Sequence, residues 1–227
     1  MNFDQLVPLF PLPSAVLLPR AILPLHIFEP RYRLMTQEAV AGDGLIAIAL
    51  LKPGYEPRYH ALDVEIHPIV CVGAILRDER LPDGRYNLLL QGRTRARILQ
   101  ENTEKSYRRA RLAPLPPDAL SPEVQQLLRA ELQVEIGSPP VLQLAEQANW
   151  VELLKCQELC LSDTLDLLAS VVLQTAEEKQ AFLSQPQLEP RVKLLRLALR
   201  SLADQYLEAT HRTSRHPRPW PPQCPAN

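Results

Sequence analysis

Glycine is scarce in this chain, with 7 residues among 227 against 23 prolines. Phosphate cradles need glycine where the backbone closes around the anion, and the Walker spacing G-x-x-x-x-G-K-[ST] occurs nowhere, which excludes a P-loop nucleotide engine. Cysteine is also sparse: Cys71, Cys156, Cys160 and Cys224 are too few and too scattered for a disulfide framework, and no C-x-x-C pair points to zinc. A reducing cytoplasmic location is the expectation. Aromatics make up 5% of the chain and the formal net charge is −1, a thin basis for base-stacking platforms and phosphate grip. No apolar run approaches the roughly 18 to 20 residues that span a bilayer. The N-terminus carries Asp4 and is broken by Pro8, Pro11 and Pro13, which does not suit a secretory leader. What is present, 46% hydrophobic and 22% charged residues, is the composition of a soluble globular protein able to build a sizeable core.

Up to residue 116 short apolar, β-branched runs alternate with prolines, the pattern of strands and turns. Strands are predicted at Gln5 to Phe10, Ala21 to Phe28, Leu45 to Leu51, His67 to Arg77, Arg85 to Leu90, Arg93 to Leu99 and Tyr107 to Leu112. One helix, Glu29 to Val40, interrupts them, with Pro30 in its first turn and Gly42 at its stop. Pro82-Asp83-Gly84 supplies the turn of a hairpin. After the prolines at 114, 116 and 117 the apolar spacing changes to three and four. Ser121-Pro122-Glu123 is a capped helix start, Gly137 to Pro140 a stop, and Thr175-Ala176-Glu177-Glu178 has capping-box spacing. Leu165, Leu168, Ala169 and Val172 mark one buried stripe, and Leu195, Ala198, Leu199, Leu202 and Tyr206 another. The fold class expected is α+β, with a β-rich lobe over 1–116 followed by a helical lobe over 117–210. From His211 the proline-rich tail, 211–227, is expected to fray.

Charge divides unevenly. Between Arg85 and Arg111 eight basic residues face two acidic ones, whereas Ser121 to Thr210 holds thirteen acidic and seven basic. Arg93, Arg95 and Arg97 alternate with Thr94, Ala96 and Ile98, which on a strand puts three guanidinium groups on one face. Two readings stand: an anion or RNA cradle, or the wet face of a half-covered antiparallel sheet.

Other constellations are incomplete. Gly42-Asp43-Gly44-Leu45-Ile46-Ala47 matches the letters of a dinucleotide fingerprint, but it follows a helix and precedes a strand, the reverse of what the fingerprint needs. Asp63, Glu65 and His67 alternate as though along one strand face and form only part of a metal or acid/base set. Cys156 and Cys160 read as buried thiols, and His26, between Leu25 and Ile27, as a packing histidine. No nucleophile and base can be paired, and neither metal nor cofactor is expected.

Val7-Pro8-Leu9-Phe10-Pro11-Leu12, Leu18-Pro19 and the long run Leu23-Pro24-Leu25-His26-Ile27-Phe28-Glu29-Pro30-Arg31-Tyr32 resemble the opening signature of the Lon protease N-terminal (substrate-binding) domain family. The resemblance continues through Gly73, Asp83-Gly84-Arg85-Tyr86, Gly92-Arg93-Thr94-Arg95, Glu178-Lys179-Gln180-Ala181-Phe182-Leu183 and Arg191. It implies a PUA-like pseudo-barrel lobe followed by a helical lobe. Lon proteases continue into an ATPase module and a serine-lysine peptidase domain that this sequence lacks. The resemblance therefore implies a stand-alone, non-enzymatic module holding unfolded or extended polypeptide. The binding residues it indicates are Phe28, Glu29, Arg31 and Tyr32. On packing grounds alone, Phe10, Leu25 and Phe28 are expected in the core, with Pro11, Pro19, Pro24 and Pro30 fixing turns. RNA binding through Arg93, Arg95 and Arg97 is the weaker alternative, and an adaptor role toward a full-length Lon protease a third; no membrane contact is expected.

Overall fold

The computed structural model describes residues 5–147, 150–156 and 159–215. Its strands are β1 (Val7–Leu12), β2 (Ile22–Ile27), β3 (Leu45–Leu50), β4 (Ile69–Arg80), β5 (Tyr86–Asn102) and β6 (Arg109–Pro114), with helix α1 (Pro30–Ala41) between β2 and β3. Helices α2 (Pro122–Ile136), α3 (Pro139–Gln147), α4 (Trp150–Lys155), α5 (Leu161–Val172), α6 (Ala176–Leu183) and α7 (Leu188–Arg215) follow. The architecture is α+β.

The sheet runs β2-β5-β4-β3-β1-β6 and closes through an added β5–β6 pairing. β1 lies parallel to β3, and every other pair is antiparallel. Closure depends on the length of β5, which the sequence reading divided in two at Gly92. Its first half, Tyr86 to Gln91, pairs with β2, and its second half, Ala96 to Asn102, pairs with β6. Strand β4 accompanies both halves. The second half of β5 thus completes a five-stranded barrel, and its first half leaves the barrel as a three-stranded tab, β2-β5-β4, with β2 at the open edge.

Side-chain size explains why so small a barrel can shut. One face of each barrel strand points inward, and the interior holds Leu9, Ala47, Ala49, Val70, Val72, Ala96, Ala110 and Leu112. Four alanines there fit the narrow lumen that few strands enclose. The opposite faces, including Phe10, Ile46, Ile48, Ile69 and Cys71, join the larger core with α1 and the helices. Burial pushes the Cys71 thiol up to about 12.

The ladder skips Arg93, Leu76 and Leu99, three β-bulges that bend β4 and β5. At the first, the chain before β2 crosses directly over Gly92: Arg20 N–H donates to the Gly92 carbonyl at 2.8 Å and Gly92 N–H to Ala21 at 2.9 Å. A Cβ on Gly92 would stand 2.0 Å from the Leu18 carbonyl oxygen, so only glycine lets the two backbones touch. Gly84 takes φ +82° in the turn between β4 and β5, a left-handed conformation glycine adopts without strain.

Local signals on the helices hold. The Ser121 side chain accepts from Val124 N–H with Pro122 in the first turn, and Thr175 with Glu178 forms the reciprocal capping box. Helix α7 runs through His211 to Arg215, so those five residues are helical where a frayed tail was expected; 216–227 lie outside the described residues. Among the described residues no helix is long and apolar enough to cross a membrane.

Candidate functional site

The tab β2-β5-β4 has two unlike faces. On its inner face Leu23, Leu25 and Ile27 stand opposite Leu90, Leu88 and Tyr86 and join the core around α1. On its outer face the rows run across three strands: Pro24, Leu89 and Arg77, then His26, Asn87 and Glu79. These six residues line an open concavity of about 480 Å³. The β2 alternation carries on at both ends, through Ile22, 49% exposed, and Phe28, 61% exposed. The outer face therefore carries apolar Ile22, Pro24 and Leu89 on one side of the polar row and Phe28 on the other.

The polar row is internally matched. Asn87 donates from Nδ2 to Glu79 Oε2 at 3.0 Å, which turns its Oδ1 toward His26. His26 then donates from Nδ1 to that oxygen at 2.8 Å, leaving Nε2 to accept from Arg85 Nη1 at 3.2 Å. A proton on Nδ1 is the arrangement that satisfies both of these hydrogen bonds. Arg85 closes it by donating to Asp83 at 2.6 Å. Arg77 and Glu79 both line the concavity, and among the described residues neither has an ion-pair partner, so the concavity carries one charge of each sign.

Phe28 is exposed, not core as its apolar neighbours implied, because strand parity puts it on the side of Ile22, Pro24 and His26. Leu25 is only partly buried, and His26, expected to pack, stands on the surface. Phe10 is buried against Tyr32, ring centroids 4.4 Å apart. Of the four residues implied as binding ones, the other three are engaged inside the protein. Arg31 pairs with Glu29 at 3.0 Å, donates to the His60 carbonyl at 3.0 Å and lies 4.5 Å from the Tyr32 ring centroid. Tyr59 also donates to Glu29, at 3.4 Å. Together they pin the loop after β3 onto α1, and burial pushes the Tyr32 hydroxyl up to about 12.

The arginine triplet does not act as one face. Arg93 is a bulge residue and exposed, and Arg97 is exposed, but Arg95 is 4% exposed because helices α5 and α6 cover it. Its guanidinium is bidentate on Asp166 of α5, its Nε donates to the Leu183 carbonyl at 3.2 Å, and it lies 5.6 Å from the Phe182 ring. Arg191 of α7 reaches the same carboxylate at 2.7 Å. A cradle of three free guanidinium groups is therefore excluded, since the middle one is committed to joining barrel and helices.

The remaining sequence candidates separate. β4 begins only at Ile69, so Asp63 and Glu65 lie in a loop, paired with Arg58 and with Lys52 at 2.9 Å. Cys160 is exposed at the N-cap of α5 and Cys156 is half-buried, neither being the buried thiol expected. Sequence reading missed Ile22, Arg77, Glu79, Asn87 and Leu89. For Ile22 the signal was the even-numbered row around Pro24, a proline that marks an edge strand; Arg77, Glu79, Asn87 and Leu89 join that face only through the register of β4 and β5, which no local pattern shows.

Residues 6–201 match the family described as the ATP-dependent protease La (LON) substrate-binding domain. Among curated relatives, Lon protease 2 of Myxococcus xanthus is 25% identical over 86% of this chain and 23% of its own length. Lon protease 2 of Syntrophobacter fumaroxidans is 29% identical over 60% of the chain and 17% of its own. The chain thus spans about a quarter or less of the relatives it matches. Among solved structures, the N-terminal domain of the Mycobacterium avium complex Lon protease superposes with a TM-score of 0.66 at 17% identity, covering 86% of this chain and 98% of that one. The Lon N-terminal domain protein from Xanthomonas campestris superposes at 0.56 with 21% identity, covering 84% and 96%. Those two likenesses show the fold, and the match over 6–201 shows that the chain belongs to the Lon substrate-binding domain family.

Proposed function

We propose that this protein is a non-enzymatic polypeptide-binding module that holds unfolded or extended protein segments on the outer face of the tab. The observation that carries this reading is that Ile22, Pro24, Leu89 and, across the polar row, Phe28 are left uncovered around an open concavity. Apolar side chains grouped on a surface mark a place where another apolar surface docks. A substrate-binding family supplies the class of partner.

Fluorescence anisotropy of a labelled, permanently unfolded polypeptide, with its folded counterpart as competitor, tests the reading. Saturable binding that the folded form does not displace is expected. Phe28→Ser should weaken it by about tenfold or more, as an aromatic anchor does, while thermal stability stays within about 0.5 kcal/mol because the side chain is at the surface. A Phe28→Ser protein that binds as tightly as the parent refutes the assignment of this face.

A further inference from the structure

β2 has one paired edge and one free edge, and the proline in its middle tells which groups lie on which. Ala21 directs its carbonyl at Gly92 N–H, 2.9 Å away, so odd-numbered residues turn their backbone groups toward β5. Leu23, Leu25 and Ile27 continue this against Leu90, Leu88 and Tyr86. Pro24, which has no N–H to give, sits where that group would point away from β5. Ile22, Pro24 and His26 therefore direct their backbone groups outward, and none of these has a partner among the described residues. The free edge offers two N–H donors, from Ile22 and His26, and three carbonyl acceptors.

Apart from His26, the side chains bordering this edge are apolar on both faces. Ile22 and Phe28 are exposed on the outer side, and Leu23 and Leu25 are incompletely covered on the inner side. The charges at its two ends are already compensated: Arg20 pairs with Asp163 at 2.8 Å and Arg85 with Asp83 at 2.6 Å. A neutral extended segment, apolar on both of its own faces, complements such an edge in hydrogen bonding, apolarity and charge.

We propose that the polypeptide is held by strand addition: an uncharged, apolar stretch of about six residues pairs along β2 as a further strand of the tab. This rests on the polypeptide-holding reading and specifies its chemistry. Affinity comes from main-chain hydrogen bonds, which every sequence supplies, and the missing donor at Pro24 keeps the pairing weak enough to reverse.

The probe is a labelled peptide of alternating valine and alanine, apolar on both faces and about eight residues long so that it overreaches the edge, titrated with the full chain. Its partner is the same peptide N-methylated at every central amide, extended but without donors. Strand addition predicts at least about tenfold weaker binding of the methylated peptide, the loss of two or more hydrogen bonds. Pro24→Ala gives a second readout with opposite signs for the two modes. Restoring an outward N–H should tighten the peptide about fivefold, whereas contact with the outer face alone predicts no gain, since apolar surface is lost. Circular dichroism and melting establish that the variant is folded. Equal affinity for both peptides, or no tightening in Pro24→Ala, overturns strand addition while leaving the holding of polypeptides intact. Failure to bind the unmodified peptide or any unfolded chain overturns both. A concentration-dependent dimer that His26→Pro abolishes would assign the edge to a second copy and also overturn the proposal.

Discussion

Asp166 is the residue whose loss should cost this fold most per atom changed. It is 1% exposed, and its carboxylate takes Arg95, 4% exposed, through two bonds and Arg191, 0% exposed, at 2.7 Å. Asp166→Asn keeps the shape and removes the charge, which leaves two buried guanidinium groups that met on one carboxylate oxygen, each also beside the Phe182 ring at 5.6 and 4.9 Å from its centroid. Removing one partner of a buried ion pair costs about 3 to 5 kcal/mol. Against a total stability of roughly 5 to 15 kcal/mol, that is a large fraction. With a urea dependence of about 2 to 3 kcal/mol per molar, the unfolding midpoint should fall by roughly 1 to 2.5 M. An apolar replacement of the whole set, Arg95→Met with Asp166→Leu and Arg191→Met, should recover part of the loss. Recovery stays partial because the Leu183 carbonyl and the Ser162 hydroxyl and carbonyl lose the donors they now have. A midpoint for Asp166→Asn equal to the parent's refutes the claim that this buried set ties the barrel to the helices.

Gly92→Ala must push the Leu18 carbonyl oxygen off its present 2.0 Å distance from the new Cβ, a main-chain movement, and should lower stability by about 2 to 3 kcal/mol; a melting temperature equal to the parent's contradicts it. Glu135 is held below its ordinary 4.5 by its hydrogen bonds to Arg200 first and Arg196 second, against an opposing cost of burial. A carboxylate depressed in the fold stabilises fully above its unfolded value and loses that contribution as pH falls through the folded one. Denaturant stability should therefore decline with acid below about pH 4.5, and Glu135→Gln should make the decline shallower; equal slopes for parent and variant contradict the assignment.

What could be read from the sequence was local. The Ser121 cap, the Thr175–Glu178 box and the Gly42-Asp43-Gly44 turn each depend on residues within one helical turn, and all form. Barrel closure was hidden because Gly92 looks like a strand breaker, whereas it is the point where β5 stays continuous under a crossing chain. The fate of Arg95 was hidden for a stronger reason. Alternation tells which side chains share a face but not what covers that face, and the covering carboxylate lies 71 residues away. Phe28 shows the same gap in reverse: apolar neighbours argued for burial, while parity placed it on the face that nothing covers.

That gap bears on how the motif Leu23 to Tyr32 relates to binding. Its odd-numbered strand residues face the core, and Glu29, Arg31 and Tyr32 fasten the loop carrying Tyr59 and His60 to α1. Most of the motif is thus spent on architecture, and resemblance through it transmits the fold more securely than the ligand. What the fold leaves free is the complementary half: the even-numbered row, with Ile22 and Phe28 uncovered, and the outward backbone groups beside Pro24. A site made of main-chain groups and scattered apolar side chains has no distinctive residue spacing to detect. It also imposes little sequence demand on its ligand, which is the property a holder of diverse unfolded segments requires.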